Sequence, residues 1–318
     1  MQISELGEFA LIDRLTKDVK LHHGSTVKGI GDDCAIVDTT QSAGRALLTS
    51  DLLLEGIHFN LNYVALKHLG YKAAVVNFSD IYAMNGTPKQ ITISLGISKR
   101  FTGEHIEELF SGIRAACEID GVDIGGGDTS ASVTGLIISI TCIGEAQKDK
   151  IVYRNGAKNT DLICVSGDLG AAYMGLQLLE REKSVYYQQV NEAKKKGDNQ
   201  ALKQLADFQP DFSGKEYLLQ RQLKAEARGD IIAKLRNANI HPTAMMDISD
   251  GLSSELMHIC KQSQTGCRIY EKDLPIDYQT AVMAEELNMN VTTCALNGGE
   301  DYELLFTVPI GDLAKVQD

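Results

Sequence analysis

Two adjacent aspartates, Asp32 and Asp33, stand between a glycine turn, Gly29-Ile30-Gly31, and the short apolar run Cys34-Ala35-Ile36-Val37. The run reads as a buried strand, so both carboxylates sit where a flexible loop enters a rigid element. Adjacent carboxylates repel. Fixing them there makes sense if something positive, most simply a divalent cation, is shared with a second set of oxygens. Glycine with turn residues also makes an ordinary Asp-Asp turn capping a strand, and taken alone that is the simpler reading. The stretch gains meaning only if the rest of the chain supplies partners.

Apolar spacing predicts a short opening helix over residues 4–16. Ala46 to Asp51 reads as a strand ending in Thr49-Ser50-Asp51, followed by the run Leu52 to Phe59, which contains His58. From Asn62 to Met84 apolar residues recur every three or four positions, placing Asn77 and Asp80 on or beside a buried helix face. A buried aspartate costs free energy unless it is paired or coordinates something; capping of nearby backbone is the alternative, and the two readings stand level. Gln90 to Ile97 alternates with a period of two, as a half-buried strand does, and Thr102 to Ile119 reads as an amphipathic helix. Val122-Asp123-Ile124 reads as a short strand running into Gly125-Gly126-Gly127-Asp128-Thr129-Ser130. Three glycines leave backbone N–H groups open to a phosphate, although a flexible hairpin would also use them. Thr134 to Gly144 completes a β-α-β-β-α-β-like first half.

Polar composition around residues 144–160 places a domain boundary there, giving domains of 1–146 and 147–318. Asp161 to Ser166 reads as a strand and Ala171 to Glu180 as a helix. Residues 181–230 are expected to form an exposed helical excursion broken near Pro210 and Gly214, with Lys194-Lys195-Lys196 on a solvated face. Ala244 to Asp247 is a short apolar strand leading into Ile248-Ser249-Asp250-Gly251 and a helix that Ser249 or Asp250 could cap. That cap leaves Asp247 unexplained. Gly298-Gly299-Glu300-Asp301 repeats the theme before the strand Leu304 to Val308.

The 318 residues carry a net charge of -12, and no basic patch offsets it, which argues against nucleic-acid or anionic-membrane partners. Met1 to Ala10 show no basic region followed by an apolar core, and no run of about 18 apolar residues occurs, so a cytoplasmic location is expected. The seven cysteines form no Cys-x-x-Cys pair and read as reduced core residues. Six places end in clustered oxygens, and an all-oxygen set suits Mg2+, which bridges carboxylates to substrate phosphates. An acidic protein that binds polyphosphate needs metals as intermediaries. Glycosidase chemistry, which needs two carboxyl groups and no glycine cradle, is a weak runner-up. The P-loop, dinucleotide-binding and protein-kinase motifs are all missing.

Seven ordered motifs carry a resemblance: Gly-Ile-Gly-Asp-Asp-Cys-Ala (29–35), Thr-Ser-Asp-Leu-Leu-Leu-Glu-Gly-Ile-His-Phe (49–59), Asn-Phe-Ser-Asp (77–80), Gly-Gly-Asp-Thr (126–129), Arg-Asn-Gly-Ala (154–157), Asp-Ile-Ser-Asp-Gly-Leu (247–252) and Gly-Gly-Glu-Asp-Tyr-Glu-Leu (298–304). Together they are similar to the thiamine-monophosphate kinase family, within the aminoimidazole ribonucleotide synthetase superfamily. The resemblance implies an α/β (α+β) protein of two domains. The N-terminal one would be a ferredoxin-like sheet with helices that forms a homodimer through its sheet, and the C-terminal one mixed α/β. It implies ATP-dependent phosphorylation of thiamine phosphate to thiamine diphosphate by direct in-line transfer with several Mg2+ ions. It further implies Asp33, Thr49, Ser50, Asp51, Asp80, Asp128, Asp247 and Asp250 as metal ligands. Gly127, Asp128, Arg154 and Ser249 would face ATP, and His58 and Glu300 would contact thiamine phosphate. By motif position Asp33 is the ligand and Asp32 the capping partner. Other synthetases of the superfamily, and a non-catalytic nucleotide-binding relative, are the alternatives. The 181–230 excursion is longer than the family's usual connection. The family's C-terminal aromatic, which stacks on thiamine, has no counterpart before Asp318.

Overall fold

The computed structural model describes residues 26–28, 31–38, 44–206 and 209–317. The expected opening helix over 4–16 lies outside the described residues, as do Gly29 and Ile30 of the first motif. A period of two runs unbroken from Gly44 to Leu54, with Leu47, Thr49, Asp51 and Leu53 on one face and Leu48, Ser50 and Leu52 on the other. The result is one strand of 11 residues. Thr49, Ser50 and Asp51 therefore lie inside a strand rather than at its end, a correction to the sequence reading. The alternation continues past Asp51, and no turn residue interrupts it.

That strand, β3, follows two short ones, β1 (Thr26–Lys28) and β2 (Ala35–Val37). Three longer strands complete the sheet: β4 (Thr87–Ser98), β5 (Asp123–Ser132) and β6 (Leu136–Gln147). The order is β1-β2-β3-β6-β4-β5, antiparallel except for the parallel pair of β4 and β5. The triple glycine is not a loop beyond a short strand. It lies within the exposed edge strand β5, in ladder with β4. A Cβ on Gly127 would fall 1.8 Å from the Ile93 carbonyl oxygen, so this pairing admits only glycine there.

Helices α1 (Leu66–Ala83) and α2 (Gly103–Asp120) pack against each other at two glycines. A Cβ on Gly70 would lie 1.9 Å from the Leu109 oxygen, and one on Gly112 would lie 1.9 Å from the Lys67 oxygen. The helix backbones touch where side chains would hold them apart. Asn62 to Ala65, expected in α1, precede it. Helix α1 contacts β3, β4 and β6 and also reaches the second sheet. Nearly every residue of α1 is buried, because it has a sheet on either side.

The second sheet has three antiparallel strands in the order β7 (Leu162–Val165), β9 (Leu304–Val308), β8 (Ala244–Asp247). Helix α3 (Ala171–Lys196) is 26 residues long and ends in three lysines that complement its C-terminal dipole. It is followed by α4 (Asn199–Ala206), α5 (Glu216–Leu223) and α6 (Gly229–Asn237). The excursion is only partly exposed: Leu218, Gln222 and Ala225 are buried. Helix α5 presses on α3 at Gly175, where a Cβ would lie 2.2 Å from the Leu218 oxygen. Helices α7 (Leu252–Ser263), α8 (Tyr278–Glu286), α9 (Val291–Asn297) and α10 (Leu313–Gln317) complete the described chain.

The largest buried cluster joins Ile81, Ile91 and Ile140 to Met245 and Phe306, so apolar packing is continuous from one sheet to the other. Cys34, Cys117, Cys142 and Cys294 are buried, but Cys267 is exposed and Cys164 and Cys260 are intermediate, so the cysteines are not uniformly core residues. No helix among the described residues is long and apolar enough to cross a membrane.

Candidate active site

Three segments far apart in sequence deliver carboxylates to one point. Asp33 comes from the loop before β2, Asp80 from α1 and Asp247 from the end of β8, and one oxygen of each lies within 4.8 Å of the others. Thr49, on the inner face of β3, donates a hydrogen bond to Asp80 Oδ2. Ser79 Oγ donates to Asp247 Oδ2 at 2.6 Å. Asp51 shares the inner face with Thr49, and its Oδ2 is buried with no hydrogen-bond partner. An orphaned buried carboxylate oxygen beside three converging ones is what an all-oxygen cation site requires. The residues present fit a hard divalent cation.

Arg154 partly offsets the negative charge. Its Nη2 lies 2.8 Å from Asp33 Oδ1 and its Nε 3.2 Å from Asp33 Oδ2, a bidentate pair. The Arg154 backbone N–H donates to Asp32 Oδ1 at 2.8 Å, and Lys28 pairs with the same carboxylate. The two aspartates thus face different ways: Asp32 holds the Arg154 loop, and Asp33 faces Asp80 and Asp247.

Burial dominates the electrostatics of the remaining acids. It lifts Asp51 to about 6. Burial, reinforced by Asp33, lifts Asp247 to about 8. Asp80 is pushed well up by burial and then by Asp51, Asp247 and Asp33. In an unfolded chain aspartates titrate near about 4. The fold therefore holds these protons more tightly than the unfolded chain does. The resulting stability is complete below about pH 4 and is lost as pH rises through 6 and then 8. In chelator, the wild-type Tm should fall between pH 5 and pH 8.5, and Asp247→Asn should remove much of that slope. A variant with the wild-type slope would disprove the assignment.

Strand alternation separates Ser50 and Asp128 from this cluster. Ser50 points to the outer face of the sheet, 3.0 Å from Thr141 Oγ1, and Asp128 stands in register with Ser94 on the exposed edge strand. Gly127 shares the β4 register row of Ile93, itself opposite Ile140 and so in line with Asp51. Asp250 is exposed, and neither it nor Ser249 caps the helix, the alternative the sequence left open: Glu255 Oε1 instead accepts the Asp250 N–H at 3.0 Å. Ser249 offers its carbonyl to the Glu300 N–H at 2.6 Å. Asp301 is buried away from the cluster and accepts the Gly170 N–H at 2.9 Å at the start of α3.

His58 and Glu300 line one pocket of about 430 Å³, with Tyr63, His68, Lys72, Glu180, Lys183 and Gln222 among the other lining residues. Glu300 Oε2 accepts hydrogen bonds from Lys72 Nζ and Gln222 Nε2, each at 3.0 Å. Burial would raise Glu300, but Lys72 outweighs it and holds the carboxyl below its ordinary value. Gly299, Glu300 and Tyr302 have φ of 71°, 59° and 49°. A left-handed turn carrying two residues with side chains is a strained conformation, of the kind that clusters at functional sites. The Tyr302 ring centre lies 6.0 Å from Lys72 Nζ, and its phenol is pushed well up by burial and by Glu300, Asp51, Asp247 and Asp80. The sequence reading missed Lys72, Ser79 and Tyr302. The available signal for Lys72 was a lone charge within the otherwise uncharged run Leu69 to Ser79.

Known proteins resemble the chain over nearly its full length. The family model for the AIR synthase related protein, N-terminal domain, matches residues 31–146. A thiamine-monophosphate kinase from Aquifex aeolicus is 35% identical, covering 97% of this chain and 88% of that protein. One from Bacillus subtilis is 32% identical, covering 95% of this chain and 84% of that protein. The chain belongs to the thiamine-monophosphate kinase family. The protein is therefore a kinase, and the acidic cluster described above is assembled from three segments of its chain. Among solved structures, "AaThiL complexed with AMPPCP and TMP" superposes with a TM-score of 0.80 at 34% identity, covering 97% of this chain and 87% of that one. The thiamine-monophosphate kinase of Stenotrophomonas maltophilia superposes at 0.73 with 28% identity, covering 98% of this chain and 89% of that one.

Proposed function

We propose that the protein phosphorylates thiamine phosphate to thiamine diphosphate with ATP, by direct in-line transfer with several Mg2+ ions. The observation that carries this reading is the convergence of Asp33, Asp80 and Asp247 beside the orphaned oxygen of Asp51 in a member of this family. Asp33, Asp51, Asp80 and Asp247, with Thr49, would hold Mg2+, which when bound neutralises phosphate charge and orients the transferring group. Ser50, Asp128 and Asp250 are assigned to further ions, separate from that cluster because their positions are separate. Gly127, Asp128, Arg154 and Ser249 would meet the nucleotide. Arg154 turns from Asp33 toward phosphate, a charge-assisted contact its fork geometry suits. His58 and Glu300 would receive thiamine phosphate in the 430 Å³ pocket.

The reading includes a homodimer formed through the outer face of the larger sheet. Leu48, Leu52 and Ile143 are exposed on that face, an apolar surface of the kind that a second copy would cover. The division into residues 1–146 and 147–318 and the cytoplasmic location belong to the same reading. With ATP, Mg2+ and thiamine phosphate, chromatography should show thiamine diphosphate and ADP appearing in equal amounts. A full-length preparation yielding neither would remove the proposal.

A further inference from the structure

We infer that Tyr63, Glu180 and Lys183 are specificity-determining residues for the phosphate acceptor, and that helix α3 supplies the outer wall of the acceptor pocket. The inference rests on the function proposed above. The pocket is walled on one side by the segment after β3, which carries His58 and Tyr63, and on another by Lys72 and Glu300. A further wall is α3, through Leu176, Glu180 and Lys183, beside Gln222 and Leu223 of α5. The side chains of Tyr63, Glu180 and Lys183 are bonded to one another. Tyr63 Oη donates to Glu180 Oε1 at 2.7 Å, and Lys183 Nζ lies 2.8 Å from Oε1 and 2.6 Å from Oε2 of the same carboxylate. The Lys183 ammonium also stands 5.6 Å from the centre of the Tyr63 ring, in cation–π range.

The pocket therefore contains two carboxylate–lysine pairs, Glu300 with Lys72 and Glu180 with Lys183, on different walls. A ligand carrying both a cationic ring and an anionic group can engage both pairs at once. A plain alcohol or a nucleoside cannot. Tyr63 lines the pocket beside the Glu180–Lys183 pair, and aromatic and charged groups bonded to one another before binding give selectivity at low entropic cost. The segment after β3 is tied to α3 a second time, by Tyr187 Oη donating to Asn62 Oδ1 at 3.2 Å. That bond lies outside the pocket lining, so it separates support of the segment from contact with the ligand.

The test compares Tyr63→Phe, Glu180→Gln and Tyr187→Phe in the full chain, each checked for an unchanged Tm. The first two should each raise KM for thiamine phosphate about tenfold, leaving kcat and KM for ATP within about twofold. Together they should cost less than the product of their separate effects, because they share one hydrogen bond. Tyr187→Phe should leave all three constants unchanged. Unaltered acceptor KM in both pocket variants, beside normal wild-type turnover, overturns this inference and leaves the proposed function standing. So does an equal effect of Tyr187→Phe, or a loss spread over kcat and both KM values, since either reports structural support. Wild-type protein that neither binds thiamine phosphate by calorimetry nor turns it over overturns both.

Discussion

Asp51→Asn is expected to lower kcat about a thousandfold while the fold survives. Asp51 is held on the inner face of β3 with an unpaired buried oxygen, and burial already lifts its carboxyl to about 6. A charge kept there against both desolvation and repulsion from Asp80 does not serve stability. Replacing it with an uncharged isostere removes that repulsion, so Tm in chelator should be unchanged or higher. The same change takes away a ligand oxygen, so calorimetric affinity for Mn2+ should fall alongside kcat. Turnover near the wild-type value would take Asp51 out of the site.

Gly112→Val is expected to cost about 3 kcal/mol of stability, because the added side chain has nowhere to go. Its Cβ would fall 1.9 Å from the Lys67 oxygen and 2.7 Å from the Tyr71 nitrogen, and both are backbone atoms that cannot rotate aside. Helices α1 and α2 must separate, and α1 carries Lys72, Ser79 and Asp80 into the site. Tm should drop by about 5 °C or more, with kcat falling as well. Gly103→Ala, at a position with nothing within 4 Å, serves as the control and should melt with the wild type. If Gly112→Val melted there too, the close helix crossing would be wrong.

Local elements were legible where one periodicity governed them. The alternation of Gln90 to Ile97 fell within β4, and the spacing of Ile106, Leu109 and Ile113 marked the inner side of α2. Acidic strand and helix ends pointed to a cation site, and Asp33, Asp80 and Asp247 do converge. What periodicity lacks is knowledge of which element lies opposite. Thr49-Ser50-Asp51 looked like one cluster, yet a strand sends its middle residue to the other face. The triple glycine reads as open backbone because glycine is permissive, and the structure adds a second use for it, since the smallness of Gly127 allows β5 to close on β4. Lys72 became visible only when Glu300, more than two hundred residues away, arrived beside it.

The strand order of the smaller sheet sets the sequence in which the protein can be completed during synthesis. Its middle strand, β9, is the last of the three to leave the ribosome, since it spans Leu304–Val308 while β7 and β8 end at Val165 and Asp247. Until β9 is inserted, β7 and β8 have no ladder partner in this sheet, and Asp247 has no fixed position. The larger sheet depends on nothing beyond Gln147 for its pairing. The nascent chain can therefore pair every strand of its larger sheet long before it possesses a phosphoryl-transfer centre, and it must keep two unpaired strands from aggregating in the meantime.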